Sequence, residues 1–128
     1  MITFKKAKVC FILAFVIVNI FYIAPCYSSS LREDLFKNAL DLSSGGKFNL
    51  ALQEWNRYLD YYPDDAAALS NRGNVKLVIG DIKGSIDDQD KAIAINPNEV
   101  DPYINRGIAE EALSLWSLAK KDYMFVLS

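Results

Sequence analysis

The amino-acid sequence predicts an all-α protein, a short solenoid of about three helix-turn-helix units that follows an N-terminal export segment. Three observations lead to this prediction. Several residue types recur at intervals of 34 positions. Within each interval, apolar residues recur at helical spacing in two blocks separated by a turn. The chain also opens with a basic stretch and a long apolar run. Repeats of this length indicate stacked supersecondary units that share one continuous core.

The N-terminal segment, residues 1–28, has the order of a secretory signal. Three lysines lie among the first eight residues, residues 9–24 are apolar except for one asparagine, and Pro25 is followed by serines. The apolar run is shorter than the roughly 20 residues of a membrane-spanning helix, which favours a cleaved signal peptide. An uncleaved membrane anchor and a lipoprotein with Cys26 as the lipid acceptor are the alternatives. In each case the body of the protein is exported, and any membrane contact is made through this segment.

The composition of the body excludes several classes of function. The first 30 residues contain three of the 14 basic residues and none of the 16 acidic ones, which leaves the remainder with a net charge of −5. Nucleic-acid binding depends on a basic face, so we expect no nucleic-acid partner. The chain has no His, which excludes His-based triads and the common zinc motifs. No nucleophile is paired with a base in a recognisable arrangement. We therefore expect no enzyme activity, no metal and no cofactor.

The repeat is visible at several independent positions. Pro63 and Pro97 are 34 residues apart, and two Asn-Arg-Gly tripeptides at 71–73 and 105–107 are separated by the same interval. Since an Asp or Asn follows each proline, these residues are expected to cap the next helix. The predicted units cover 32–65, 66–99 and an incomplete 100–128, and the predicted helices cover 31–43, 48–61, 65–79, 82–95, 99–113 and 116–127.

The first two units are justified by small and aromatic residues at packing spacing. In the first unit Ala39 faces Ala51, and Trp55 is expected in the core. In the second unit Gly73 costs helix stability, and the compensation is close approach of the facing helix at Ser85. The acidic stretch 87–90 lacks the ligand pattern of a calcium loop and is interpreted as a solvated helix face.

The third unit repeats the pattern and then stops at Ser128. Gly107 faces Ala119, and Trp116 and Tyr123 are expected in the core. The final stretch is strongly apolar, and its side chains cannot all point to one core. It is therefore expected to expose an apolar strip that docks a partner or a second copy. The residues of this candidate docking end are Met124, Phe125 and Leu127.

A 34-residue helix-turn-helix period of this kind resembles the tetratricopeptide repeat (TPR). The resemblance extends over residues 31–128 and departs from the family pattern at Arg72, Arg106 and Gln89. The tripeptide Asn-Arg-Gly and the stretch 101–113 are similar to exported TPR proteins of cyanobacteria and chloroplast lumens, which implies a periplasmic or thylakoid-lumen location. The matching positions of the second and third units are Leu69, Gly73, Ser85, Ala92 and Pro97, then Tyr103, Gly107, Ala119, Tyr123 and Val126.

The resemblance also implies a concave groove, lined by the first helix of each unit, that binds an extended or helical peptide. Lining positions in the family correspond here to residues such as Ser43, Ser70 and Asp101. Asparagines beside this surface can hold backbone groups of a ligand, or can instead satisfy neighbouring backbone groups of their own chain. The candidate partner-binding residues are Phe36, Leu40, Asn71, Asn74, Leu77, Asn105 and Ile108.

Some family members grip a C-terminal carboxylate with a clamp of basic and amide residues along this groove. Of the clamp positions, only Asn71 matches here, so binding of acidic chaperone tails by that mechanism is not expected. The sequence therefore predicts a non-catalytic interaction or scaffold module that binds a protein or peptide partner. A membrane-tethered element that self-associates into a homo-oligomer through its last helix is the alternative.

Overall fold

The computed structural model describes residues 30–128, and the predicted signal or anchor segment lies outside this range. The chain divides into two compact units, Met1–Asp34 and Leu35–Ser128. Only residues 30–34 of the first unit are described, and they are helical. The repeat body is the second unit. Within the described range, no helix combines the length and apolar character needed to cross a membrane.

Six helices and no strand make up the described residues, which confirms the predicted all-α class. The first helix, α1, covers residues 30–44. The remaining five are α2 (Phe48–Tyr61), α3 (Ala66–Val78), α4 (Ile82–Ile95), α5 (Asp101–Ala112) and α6 (Trp116–Val126). Each helix packs against the next one along the chain, and α3 also contacts α5. The first helices of successive units are therefore neighbours.

Aspartates cap two of the helices, but neither is a predicted residue, because the cap expected after Pro63 was Asp64 and none was predicted at Asp81. Asp65 caps α3, because its Oδ1 accepts a hydrogen bond from the Ala68 amide at 3.1 Å. Asp81 caps α4 in the same way, accepting from the Gly84 amide at 3.0 Å. The cap predicted after Pro97 is wrong: α5 begins later, behind Val100, with Pro102 in its first turn and no side-chain cap. Proline is tolerated there because the first helical amides have no partner within the helix.

The turn inside each unit has one residue in the left-handed conformation, and the three residues are spaced at 34 positions. They are Gly46 (φ 72°), Gly80 (φ 91°) and Ser114 (φ 60°). Glycine adopts this region without a steric penalty, whereas a residue with a Cβ is strained there. The third turn therefore has the same backbone geometry as the first two at a higher conformational cost.

The core is centred on the first unit and confirms the role predicted for Trp55. Its indole is fully buried and meets the Phe36 ring edge-on at a centroid distance of 5.0 Å. The prediction that Trp116 lies in the core is wrong, since 63% of this residue is exposed. It is the first residue of α6 and lies one turn before the face on which Ala119 and Asp122 are buried.

The predicted close approach at the two helical glycines is confirmed, with different facing groups. A Cβ on Gly73 would lie 2.6 Å from Gln89 Nε2 and 3.2 Å from the Ser85 carbonyl oxygen. A Cβ on Gly107 would lie 2.5 Å from the Tyr123 ring, whereas the sequence predicted that Ala119 faces it. The glycines therefore make room for larger side chains one turn further along the second helix.

Candidate functional site

Two adjoining pockets follow α3, one on each side. The amide pocket, about 340 Å³, lies between α3, the α4–α5 connection and α5. The apolar pocket, about 250 Å³, lies between α1, the start of α2 and α3. Asn71 and Asn74 line both pockets, so the two form one groove along the first helices. The other lining residues are Ala66, Ala67, Ser70, Asn96, Glu99, Asp101, Pro102 and Asn105 in the amide pocket, and Leu40, Ser43, Ser44, Phe48, Val75 and Val78 in the apolar pocket.

Four of the seven candidate partner-binding residues line this groove. Leu40 lies in the apolar pocket, Asn105 lies in the amide pocket, and Asn71 and Asn74 lie in both. Helical spacing accounts for the central pair, because positions three apart on α3 lie on the same face. Contact of these residues with a partner stays a prediction.

The other three candidate residues lie outside the lining of both pockets. Phe36 is half-buried and packs edge-on against Trp55 and Tyr58, so its side chain is part of the aromatic core. Leu77 is half-buried and Ile108 is exposed. The two pockets therefore contain fewer of the candidate residues than the sequence predicted, since their lining is confined to the asparagine-bearing face of α3 and its immediate neighbours.

The asparagine side chains of the groove are held in defined orientations. Asn71 Nδ2 donates to the Ala67 carbonyl at 2.9 Å, and Asn105 Nδ2 donates to Ser70 Oγ at 3.2 Å. Each of these two amides therefore satisfies a neighbouring group of its own chain, which is one of the two alternatives considered from the sequence, and ligand contact stays a prediction. The Asn74 amide has the opposite orientation, because its Oδ1 accepts a hydrogen bond from Gln89 Nε2 at 3.4 Å.

Gln89 supports the amide pocket from below, at a position where the family usually has an aromatic residue. Its side chain is fully buried, and Nε2 donates to the Ser70 carbonyl at 3.0 Å as well as to Asn74. Its Oε1 is buried without a hydrogen-bond partner. Positions 55 and 123, in register with it, have a tryptophan and a tyrosine, so only the second unit places an amide under the groove.

The charged groups of the groove are carboxylates. Glu99 and Asp101 line the amide pocket, and no lysine or arginine is among the lining residues of either pocket. Glu99 Oε2 accepts a long hydrogen bond from Asn96 Nδ2 at 3.4 Å. The apolar pocket has no charged lining residue, so the groove changes from apolar at one end to acidic at the other.

The helices that form the groove are joined by an ion-pair network that the sequence analysis missed. Arg72 donates from Nε and Nη2 to both carboxylate oxygens of Asp88, at 2.8 and 2.7 Å. Its Nη1 donates to Asn56 Oδ1 at 3.0 Å, and Lys76 Nζ lies 2.8 Å from Asp88. One arginine on α3 therefore joins α2 and α4.

Burial alone would raise the pKa of the Asp88 carboxyl, but the hydrogen bonds and charges of Arg72 and Lys76 outweigh this effect and lower it. The interpretation of the stretch 87–90 as a solvated face is therefore wrong at Asp88 and Gln89, whose side chains are buried. The described residues contain no group of three or more side chains placed to hold a metal ion.

The same arrangement recurs 34 residues later. Arg106 donates bidentately to Asp122 at 2.7 and 2.6 Å, and its Nη1 donates to Asp90 at 2.6 Å. The hydrogen bonds that Arg106 donates, first those to Asp122 and then that to Asp90, raise the pKa of its guanidinium. A periodic signal was present in the sequence, because each arginine is followed by an aspartate 16 residues later in both units.

One position breaks the symmetry between the two networks. Glu110 stands in register with Lys76, so an acid replaces the lysine that pairs with the aspartate in the second unit. Glu110 is buried, and its Oε2 has no hydrogen-bond partner. Burial first, and then the charge of Asp122, raise the pKa of this carboxyl.

The candidate docking end is exposed, as the sequence predicted. Met124 and Phe125 are exposed, and Leu127 is 81% exposed. Phe125 is partly covered, because its ring stacks on Tyr103 at a centroid distance of 4.0 Å. The exposed Trp116 and Leu118 add to the apolar surface of α6. Docking through this end stays a prediction.

The sequence analysis left several lining residues out of its candidate set. Ser43, Ser70 and Asp101 occupied expected lining positions but were passed over in favour of larger or amide side chains. Asn96 and Glu99 belong to the connection between units, where periodicity gives no information about side-chain direction. The sequence feature that could have indicated Asn96 and Glu99 is the presence of side-chain acceptor groups beside a proline-containing turn.

Comparison with known proteins agrees with this architecture. No family model matches the chain. The chain is 31% identical over 64 residues to Tetratricopeptide repeat protein 36 of Danio rerio, a match that covers 50% of this chain and 34% of that protein. It is 29% identical over 104 residues to Sperm-associated antigen 1 of Homo sapiens, which covers 80% of this chain and 11% of that protein. The chain therefore spans only a minor part of the curated relatives it matches.

A solved structure extends the similarity to the arrangement of the helices. The first TPR of Spaghetti (RPAP3) bound to the HSP90 peptide SRMEEVD superposes with a TM-score of 0.72 at 26% sequence identity. The superposition covers 75% of this chain and 76% of that chain.

Proposed function

Since this chain is a tetratricopeptide-repeat protein, we propose that it is a non-catalytic interaction module that holds a peptide segment of a partner protein in the groove. The observation that carries the proposal is the pair of adjoining pockets that share Asn71 and Asn74. Backbone amides and carbonyls of an extended peptide can pair with such side chains while its own side chains enter the pockets. The similarity to a TPR domain solved with a bound peptide supports the same use of the fold.

The partner-binding residues of this proposal are those that the groove presents. Leu40 offers an apolar contact, Asn71 and Asn105 offer Oδ1 acceptors, and Asn74 offers Nδ2 donors. Leu77 and Ile108 are retained as peripheral contacts beyond the pockets. Phe36 acts indirectly, because its packing on Trp55 positions α1 against α2.

Site-specific crosslinking tests the groove without disturbing the core. We replace Val78 with a photo-crosslinking phenylalanine derivative, because Val78 lines the apolar pocket and is 59% exposed. The matched control places the same group at Leu50, which is 51% exposed on α2 and lines neither pocket. We expect a partner band with the Val78 probe that the Leu50 probe does not produce. Identical products from both probes would argue against the groove.

A second variant separates binding from folding. Asn71→Ala removes an Oδ1 that is not used within the described residues, while its lost Nδ2 bond to the Ala67 carbonyl is exposed. We expect weaker partner capture with unchanged helicity by circular dichroism. Loss of helicity instead would assign Asn71 a structural role.

The module is proposed to act after export, in the periplasm or the thylakoid lumen, with residues 1–28 as a cleaved signal or a retained membrane anchor. The basic start, the apolar run and the serines after Pro25 support this location. Fusion of residues 1–30 to a reporter that is active only outside the cytoplasm tests it. A reporter that stays inactive would remove the export proposal.

A second candidate function is self-association through α6, favoured by the exposure of Trp116 and Met124 on this helix and of Leu127 directly after it. Contiguous exposed apolar side chains of this kind typically mark interaction surfaces. In this case the protein is a structural element whose partner is a second copy of the same chain.

A further inference from the structure

The groove is rich in hydrogen-bond acceptors, and this property narrows the chemistry of its ligand. Asn71 and Asn105 use their Nδ2 groups within the protein, which leaves each Oδ1 without a partner in the part of the chain that the structure describes. Asn74 contributes Nδ2 donors, since its Oδ1 accepts from Gln89. A ligand that binds here can therefore donate hydrogen bonds to two side-chain oxygens of the groove.

The charge of the groove points in the same direction. The acids Glu99 and Asp101 line the amide pocket, and the lining residues of both pockets include no base. The two bases of α3, Arg72 and Lys76, line neither pocket and both bind Asp88. An acidic peptide would therefore meet uncompensated like charge, whereas a lysine or arginine side chain would meet carboxylates and amide oxygens.

The two pockets also define an order along the ligand. Leu40, Phe48, Val75 and Val78 give the apolar pocket its hydrophobic surface, and the carboxylates lie on the far side of α3 in the amide pocket. A chain that crosses α3 at Asn71 and Asn74 connects these two environments.

We infer that the groove selects a cationic peptide segment, with an apolar side chain in the apolar pocket and a lysine or arginine in the amide pocket beside Glu99 and Asp101. This inference rests on the proposed function and names the ligand class of the same site. Apolar burial supplies most of the affinity, while the carboxylates supply specificity and a faster encounter.

A positional-scanning peptide library tests the inference directly. The full chain, held in a non-ionic detergent, is incubated with capped peptides that vary one position at a time. The test variant is Glu99→Gln with Asp101→Asn, which removes both charges and keeps side-chain oxygens. The matched control is Asp60→Asn with Asp87→Asn, two exposed carboxylates that line neither pocket. Circular dichroism verifies that all three proteins are folded.

We expect the wild-type and control proteins to enrich peptides with lysine or arginine near an apolar residue. Affinity for the best cationic peptide should fall about threefold to tenfold in the test variant, because each partly exposed charge pair contributes modestly. The affinity for a peptide with glutamine at the same position should be unchanged. Raising the salt concentration should weaken only the cationic peptide.

Each other outcome overturns a specific statement. Binding without a preference for cations, a preference for acidic peptides, or a cationic preference that persists in the test variant would overturn the charge inference and leave the groove as a peptide site. Absence of binding by every library member would overturn the proposed function itself, and the charge inference with it.

Discussion

At the scale of single residues, the turn inside the third unit differs from the turns inside the first two in the residue at its left-handed position. Ser114 adopts a φ of 60° at the position where the first two turns have Gly46 and Gly80. The left-handed region costs a residue with a Cβ about 1 kcal/mol or more. The third turn is therefore strained by its side chain, while its backbone hydrogen bonds match those of the second turn.

Replacing Ser114 with glycine should remove this strain. We expect Ser114→Gly to raise the free energy of unfolding by about 0.5–1 kcal/mol in urea denaturation followed by tryptophan fluorescence. The reverse change, Gly80→Ser, should lower it by a similar amount. An unchanged midpoint in both variants would mean that the turns tolerate a side chain without strain.

Glu110 is a second residue whose environment opposes its charge. Burial and the charge of Asp122 raise the pKa of its carboxyl above the ordinary value of 4.5. Deprotonation of this carboxyl is disfavoured only in the folded state. The contribution of Glu110 to the free energy of unfolding is therefore fully present below pH 4.5 and is lost as the pH rises through its raised pKa.

Neutralising Glu110 should therefore stabilise the protein in a pH-dependent way. We expect the free energy of unfolding of Glu110→Gln to be about 1–2 kcal/mol higher than that of wild type at pH 7, because a buried unpaired carboxylate is removed. The advantage should shrink as the pH is lowered towards 4.5. A difference that is constant from pH 7 to pH 4.5 would contradict this account, and Glu111→Gln at the neighbouring exposed position serves as the control.

At the scale of elements, the arginines decide how each pair of helices is held. A bidentate pair between Arg72 and a fully buried Asp88 joins α3 to α4, and the third contact reaches Asn56 on α2. Ion pairs of this kind contribute little relative to an apolar contact, but breaking one leaves an uncompensated charge inside the protein. Their role is to set which helix faces which.

Removal of the Asp88 charge should be costly for this reason. We expect Asp88→Asn to lower the free energy of unfolding by about 3 kcal/mol, since Arg72 and Lys76 lose their shared carboxylate. As a control, Glu54→Gln disrupts the partly exposed Glu54–Arg57 pair, whose N–O distance is 3.7 Å, and should cost at most about 0.5 kcal/mol. Equal effects in the two variants would show that burial of the first pair is energetically unimportant.

The pH dependence of the same pair has the opposite sign to that of Glu110. Arg72 and Lys76 lower the pKa of Asp88 below 3.8. The contribution of this carboxylate to the free energy of unfolding is therefore present above pH 3.8 and is lost as the pH falls through its lowered pKa. Acid titration of wild type should show this loss. The Asp88→Asn variant should lack it, and a loss of the same size in the variant would exclude Asp88 as its source.

The helices and their pairing could be predicted from sequence because period and spacing report directly on burial along one face. Ala51, Ala92 and Ala119 are buried at repeat positions, as helical spacing requires. Partners between helices could not be predicted in the same way. Asp88 looked solvated within its own charged stretch, since spacing along α4 does not reveal a cation on α3.

The site was predictable to the extent that it depends on the same spacing. Asn74 was found because it corresponds to a groove-lining position of the family, and Asn71 because it lies beside that surface on the same helix. Which atom of each amide faces the groove depends on Ala67 and Gln89, and no pattern in the sequence encodes that orientation. Trp116 was misplaced because periodicity does not show where a covering helix ends.

At the scale of the whole molecule, the exposed surface of α6 is the feature on which the candidate self-association depends. Phe125 is half covered by Tyr103 while Leu127 is almost fully exposed. If this surface joins two copies, a charge placed in it should separate them, because an unpaired buried charge opposes association.

Native mass spectrometry of the full chain released from a non-ionic detergent counts the copies directly. For the self-associating candidate we expect dimers or larger species in wild type and monomers in Phe125→Glu. Leu50→Glu, an equally drastic change on exposed α2, should behave as wild type. Monomers in all three proteins would remove self-association as a function.

The arginine networks have a consequence for how such an array can grow. Each arginine needs only an acceptor 16 residues before it and an aspartate 16 residues after it. A gene in which the codons for residues 66–99 are duplicated in tandem would therefore encode an additional unit whose network is complete at both junctions, with Asp90 serving the new arginine as it now serves Arg106. With respect to this network the unit is self-compatible, so the length of the protein can change by whole repeats while every arginine keeps both of its partners.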